Sequence, residues 1–153
     1  MAKSRLGTLA LLVIGAVLVL SSCGGGGSKR LTKEQFAAKA DALCAAFHKK
    51  VNAVPTPTTA DETVAYLEKL LPLDEKLIAD IKNLKPPANE EATVKRVGAL
   101  GEEQSITRVK NLIAALKAND QAKVKTLIAE GDKNANEMKA LFEQLGITEC
   151  QKT

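Results

Sequence analysis

From Leu31 onward, apolar residues recur at steps of three and four, and no stretch alternates apolar with polar residues. This spacing is typical of amphipathic helices and excludes a sheet-based fold. The pattern divides into four segments joined by short turns, a length of connection that favours antiparallel neighbours. We therefore predict an all-α protein: an antiparallel up-down-up-down four-helix bundle spanning residues 31–153.

Helix-start and helix-end signals predict the boundaries of the four segments. Two capping boxes precede the first and second helices, namely Thr32 with Gln35 and Thr59 with Glu62. We expect the third helix to begin near Asn89, after the Pro86-Pro87 break, and the fourth to follow an N-cap at Asp120. Gly146 stands where a left-handed residue ends a helix.

Two features disturb the regular helical pattern. Pro72 lies inside the second segment, lacks a backbone N–H and crowds the preceding turn, so we predict a helix kinked or broken near this residue. A clean break would give a three-helix variant of the fold. Gly98 and Gly101 weaken the third helix, and they indicate either close approach of a neighbouring helix or a local bend.

The first 22 residues have the pattern of a secretory signal. Lys3 and Arg5 precede an uncharged apolar stretch over residues 9–20. As a helix, this stretch covers about 18 Å, whereas a hydrocarbon core is roughly 30 Å thick. The segment is therefore too short for a permanent membrane span and fits a signal peptide.

The signal ends in Leu20-Ser21-Ser22-Cys23, followed by Gly24. This sequence resembles the lipobox of bacterial lipoproteins. The resemblance implies cleavage between Ser22 and Cys23, a diacylglyceryl group on the Cys23 thiol, and a further acyl chain such as palmitate on the new amino group. An ordinary secretory signal with an incidental cysteine is the alternative.

The lipobox resemblance implies three parts and a location. Residues 1–22 are the signal peptide, 23–30 the lipidated cysteine and its Gly/Ser tether, and 31–153 the helical domain. The mature protein is expected at the cell membrane, anchored in the lipid bilayer on the extracytoplasmic face. The tether would let the domain lie about 10–15 Å from the lipid.

Three cations stand where the tether meets the domain: Lys29, Arg30 and Lys33. Near an anionic membrane surface each contributes on the order of 1 kcal/mol, so we consider contact with lipid headgroups. The alternative is a solvated basic start to the domain.

Cys44 and Cys150 remain once Cys23 is lipidated. Because disulfides persist in extracytoplasmic compartments, we predict a Cys44–Cys150 bond between the neighbouring first and last helices; two free thiols are the alternative. Cys44 lies about 18 Å along its helix from Thr32. The tail over residues 147–149 must therefore fold back, or the first helix must overhang the bundle.

The mature chain shows a second resemblance, through its tether, its early cysteine, its Pro-Pro break and its ending, Leu145-Gly146-Ile147-Thr148-Glu149-Cys150. Together these features resemble small uncharacterised helical lipoproteins of high-GC Gram-positive bacteria. This resemblance implies a fold and a disulfide and carries no implied activity.

The residues give little indication of catalysis or of a metal site. The domain contains a single serine, Ser105, and a single histidine, His48, without a nucleophile-elbow motif. Cys44 and His48 supply only two possible metal ligands. We therefore expect no enzyme activity, no metal and no cofactor. Haem ligated by His48 and Met138 is a less favoured possibility, since a half-exposed surface histidine fits its place at the edge of the apolar face.

Nucleic acid is also an unfavourable partner. The formal net charge of +4 includes Lys3 and Arg5, so loss of the signal leaves +2, and aromatic residues make up only 3% of the chain. We expect a non-catalytic binding or adaptor module of the cell envelope, whose partner is an envelope protein or a small apolar ligand. The alternative is a haem- or small-ligand-binding bundle, or an enzyme whose site the sequence does not reveal.

Overall fold

The computed structural model describes residues 29–152, apart from the side chains of residues 132 and 133. The predicted signal peptide, the cleavage after Ser22, the lipidation of Cys23 and the Gly/Ser tether lie outside the described residues. They remain predictions.

Within the described range the chain is mostly helical and contains no strand, so the all-α prediction is confirmed. The α-helices are α1 (Lys33–Val51), α2 (Ala60–Asn83), α3 (Glu91–Gly101), α4 (Arg108–Lys117) and α5 (Gln121–Leu145). A π-helix over Glu102–Thr107 joins α3 directly to α4, and the three together form one continuous third helix. Short 3₁₀ turns, Ala88–Glu90 and Glu149–Gln151, precede α3 and follow α5.

The predicted capping boxes are present. At the start of α1, the Gln35 amide donates to Thr32 Oγ1 (3.2 Å) and the Thr32 amide donates to Gln35 Oε1 (3.1 Å). Thr59 and Glu62 make the same reciprocal pair at the start of α2. Asp120 accepts from the Lys123 amide at the start of α5 (2.9 Å), so three of the four long helices begin where the sequence predicts.

α2 runs without interruption through Pro72. The predicted break is therefore wrong, and so is the three-helix variant that depended on it. One missing hydrogen bond is a small loss for a helix of 24 residues that has half-buried apolar side chains before and after the proline and packs against α1 and the third helix. A kink at Pro72 stays a prediction.

The helices pack in sequence order: α1 against α2, α2 against the third helix, and the third helix against α5. Three ion pairs connect α2 with the third helix, Lys82–Glu102 (2.6 Å), Glu75–Lys110 (2.9 Å) and Glu68–Lys117 (2.6 Å). Across these three pairs, the residue number decreases on α2 while it increases on the third helix. The largest cluster of buried residues lies between α1, the ends of α2 and α5, and α3; it comprises Phe36, Ala40, Cys44, Ile81, Val94, Val97, Leu145 and Ile147.

Gly98 and Gly101 allow α2 to approach α3 closely. A Cβ at Gly98 would lie 3.1 Å from Lys82 Cγ, and one at Gly101 would lie 3.2 Å from Ile78 Cγ1. The interpretation of these glycines as a close-approach site is confirmed, and the π-helix begins directly after the second of them.

Over residues 29–152, none of the helices combines the length and apolar character needed to cross a membrane.

Candidate functional site

Cys44 and Cys150 form a disulfide, as predicted. Their Cα atoms are 5.1 Å apart and 106 positions apart in the sequence. Cys44 is buried on α1, and Cys150 lies in the 3₁₀ turn that follows α5. The bond therefore joins the first helix to the C-terminal tail.

The tail reaches Cys44 by folding back, one of the two predicted solutions. Gly146 ends α5 in the left-handed conformation with φ of 73°, and the Ile147 amide then donates to the Phe142 carbonyl (2.9 Å). Ile147 is fully buried in the core beside α1. The left-handed glycine and this one apolar anchor turn the chain toward Cys44.

Asp41 holds the returning tail in place, a role that the sequence reasoning missed. Its Oδ1 accepts from the backbone amides of Thr148 (2.8 Å) and Glu149 (2.7 Å), and its Oδ2 accepts from the Thr148 hydroxyl (3.0 Å). Asp41 lies one turn before Cys44 on α1 and faces the same tail. The only sequence signal for this contact was the spacing of three residues between Asp41 and Cys44. Such a spacing is too common on helices to predict a contact between residues 107 positions apart.

An apolar cavity of about 110 Å³ lies beside the disulfide. Each of the four long helices contributes to its wall, as does the disulfide itself. The lining residues are Cys44, Phe47, His48, Leu77, Ile78, Ile81, Val97, Gly98, Gly101, Met138, Phe142 and Cys150. Because both glycines lack side chains, the cavity reaches the backbone of α3.

The disulfide and the folded-back tail shape one wall of this cavity. Ile147 and Asp41 fix the tail on either side, and Cys150 then faces Cys44 across the wall. The cavity therefore depends on a covalent bond between two segments that are distant in sequence. No periodicity argument predicts such a cavity, because it arises where four apolar faces fail to fill the space between them.

His48 and Met138, the pair considered for haem, both line the cavity. The His48 Nε2 donates to the Glu149 carbonyl (3.0 Å), and the half-buried ring packs edge-on against Phe47 with centroids 5.7 Å apart. A dry apolar cavity of roughly 150 Å³ holds a benzene. A space of about 110 Å³ therefore cannot enclose a porphyrin, and His48 Nε2 is already engaged with the Glu149 carbonyl.

Among residues 29–152, no group of three or more His, Cys, Asp or Glu side chains is placed to hold a metal ion. Ser105 lies in the π-helix and does not line the cavity. One carboxyl has an unusual environment: burial raises the pKa of Asp74 on α2 to about 6. Asp74 is also absent from the cavity wall.

The predicted headgroup-contact residues lie at the end of the domain where the chain enters. Arg30 pairs with Glu91 (2.9 Å) and donates to the Pro86 carbonyl (3.2 Å), and Lys33 Nζ lies 3.6 Å from the buried Glu90 carboxylate. Lys29 is exposed. Contact between these cations and lipid headgroups stays a prediction.

Comparisons with protein-family models, with characterised proteins and with solved structures find no match to this chain. The functional inference therefore depends on the residues, the cavity and the charges of the chain itself.

Proposed function

We propose that this chain is a bacterial lipoprotein, anchored through an acylated Cys23 on the extracytoplasmic face of the cell membrane. Its helical domain acts as a non-catalytic binding module, and its ligand is a small apolar molecule held in the cavity beside the disulfide. The lipobox resemblance supports the anchor. The apolar cavity is the single observation that supports the ligand.

The size of the cavity sets how much of a ligand it can bury. A space of about 110 Å³ fits a fragment of roughly four to six carbon atoms, judged against the benzene-sized cavity of about 150 Å³. Burial contributes about 0.8 kcal/mol per methylene, so six carbons give about 5 kcal/mol before the cost of immobilisation. A free fragment should therefore bind with a dissociation constant on the order of millimolar.

The surface favours a small ligand over an envelope protein as the partner. Ile128 is the single large apolar side chain exposed among residues 29–152, at 54% exposure. Contiguous exposed apolar areas of several hundred Å² often mark protein-interaction sites. One isolated isoleucine is too small for such a patch.

We also infer that the four long helices alternate in direction as an up-down-up-down bundle, with α2 bent at Pro72. The three ion pairs between α2 and the third helix support opposite directions for that pair. The third helix and α5 show the same trend, since Arg96 pairs with Glu137 (2.6 Å) while Arg108 contacts the Leu127 carbonyl (3.5 Å).

The ligand proposal is tested by methyl NMR with benzene and xenon, the probes that enter dry apolar cavities. A soluble form starting at Lys29 retains the described domain and avoids probe partition into lipid. We expect shifts at the Met138, Ile78 and Ile81 methyl groups that saturate with probe concentration, and no shift at Leu127, which lies outside the cavity wall.

Graded filling of the cavity supplies the control. Val97→Ile adds one methylene to the wall and should weaken binding, and Val97→Phe should abolish it. Val124→Phe makes the same substitution on α5 away from the cavity and should leave binding unchanged. Equal methyl shifts in Val97→Phe and the unmodified domain would contradict the ligand proposal.

A further inference from the structure

A groove of about 630 Å³ opens where the chain enters the domain, between the end of α2 and the start of α3. Four of the residues lining it are cationic, and we call it the basic groove: Arg30, Lys82, Lys85 and Lys95, with Glu91 as its acidic member. All five side chains belong to exposed residues. The groove is therefore a concave, solvent-exposed surface with more positive than negative side chains.

Two of the four cations are already neutralised within the domain. Arg30 pairs with Glu91 (2.9 Å), and Lys82 pairs with Glu102 (2.6 Å). Lys85 and Lys95 form no salt bridge with any described residue of the domain. Among the described residues, the basic groove therefore contains two lysines without a salt-bridge partner, Lys85 and Lys95, and its other two cations are paired.

The basic groove lies beside the start of the domain. The Leu31 amide donates to the Lys85 carbonyl (2.8 Å), so the entering chain is bonded to the groove wall. Cys23 precedes Lys29 by six positions. A Gly-rich segment of this length spans about 12–15 Å on average.

This position sets which end of the domain meets the membrane. The third helix runs from Glu91, at the groove, to Lys117, and its 27 residues extend about 40 Å away. If Cys23 is held in the bilayer by its acyl chains, the tether brings the basic groove to the headgroup layer and leaves the α4–α5 turn far from it.

We propose that the basic groove docks the phosphate headgroup of an anionic phospholipid, through Lys85 and Lys95, in the membrane that holds Cys23. The contact orients the domain with the groove against the bilayer and the α4–α5 turn pointing away. This inference rests on the proposed lipid anchor and deepens it, since the anchor alone leaves the orientation of the domain undetermined.

The expected strength follows from the number of free cations. A lysine near an anionic leaflet contributes a factor of about five in affinity, so two give a docked-to-free ratio of up to about 25. Labelling of the two ammonium groups by an acylating reagent should slow by the same factor. Removal of one lysine should leave about fivefold protection at the other.

The experiment uses the full protein purified from membranes, with its N-terminal modification read by intact mass. It is reconstituted into vesicles of phosphatidylcholine alone or with phosphatidylglycerol. The extent of acylation of each lysine at limiting reagent is then measured by peptide mass spectrometry. Lys123 and Lys125, near the start of α5, are the internal reference.

On the phosphatidylglycerol vesicles, we expect Lys85 and Lys95 to be protected from acylation and the reference lysines to be unprotected. This difference should vanish in 1 M salt, because the screening length falls to about 3 Å. Lys85→Gln should lower the protection of Lys95, and the matched Lys123→Gln should not. Equal protection on both vesicle types, or none, overturns the groove proposal.

The intact mass separates the two proposals. If Cys23 is acylated and Lys85 reacts as fast as Lys123 on anionic vesicles, the groove inference is wrong and the lipid anchor stands. If Cys23 is unmodified, the anchor itself is wrong and the groove inference falls with it.

Discussion

Breaking the Cys44–Cys150 bond should lower the free energy of unfolding by about 5 kcal/mol. In the chain-entropy model, closing a loop of 106 residues lowers the entropy of the unfolded chain by about 16 cal/mol/K, which gives the 5 kcal/mol at 25 °C. A domain of this size has a total stability of roughly 5–15 kcal/mol. Reduction should therefore remove between about a third and all of the stability of the domain.

The structure predicts that this loss of stability arises from a change in the unfolded state and not from lost contacts in the folded state. Ile147 is buried and Asp41 accepts two tail amides, and both contacts remain when the sulfurs separate. The folded reduced protein should consequently keep its helical circular dichroism. Its urea m-value should rise, because an uncrosslinked unfolded chain exposes more surface.

The assay is urea unfolding of the oxidised protein, of the same protein in reductant, and of the Cys44→Ala/Cys150→Ala variant. The reduced protein removes the bond alone, and the alanine variant adds a small cavity at the buried Cys44 position, so it should be slightly less stable. A loss below about 1 kcal/mol on reduction would refute the entropic argument.

Three further sets of substitutions should change the stability of the domain by predictable amounts. Asp41→Ala should destabilise the domain by about 2 kcal/mol, measured by urea unfolding, because it leaves two tail amides without their acceptor; Asp41→Asn keeps one acceptor oxygen and should cost less. Burial raises the pKa of Asp74 from 3.8 to about 6 in the folded protein, so stability should fall as the pH rises from about 4 to 6. Asp74→Asn should remove that dependence and, after allowance for solvent screening, stabilise the protein at pH 7 by about 1–2 kcal/mol; a pH profile parallel to that of the unmodified protein would contradict this. A Cβ at Gly131 would overlap the guanidinium of Arg108, the end of a flexible side chain that must then move aside, so Gly131→Ala alone should gain less than the about 1 kcal/mol of helix propensity and should recover that gain when combined with Arg108→Ala; additive effects in thermal melts of the four proteins would show that the two sites are independent.

Local signals predicted most of the helical architecture. The capping pairs at Thr32 and Thr59 are interactions over three residues, and the left-handed Gly146 is a property of one residue, so the sequence near each end is enough to predict them. The disulfide was predicted for a different reason: the expected lipidation of Cys23 leaves two of the three cysteines, and two cysteines allow a single pairing.

The parts that the sequence did not predict depend on contacts between distant segments. Asp41 meets the tail across 107 positions, and the cavity exists because four apolar faces leave a gap beside the disulfide. The π-helix over Glu102–Thr107 also has no local signal in its composition. For Pro72 the local signal gave the wrong prediction. A proline favours a break in a helix, but the packing of α2 along its length outweighed this preference.

Acylation of Cys23 underlies both the proposed location and the proposed orientation of the domain, and mass spectrometry of the undigested protein extracted from its native membrane tests it directly. We expect a polypeptide that starts at Cys23 and carries the added mass of a thioether-linked diacylglycerol, with the other two cysteines oxidised. A polypeptide that still starts at Met1, with an unmodified thiol at position 23, would contradict it.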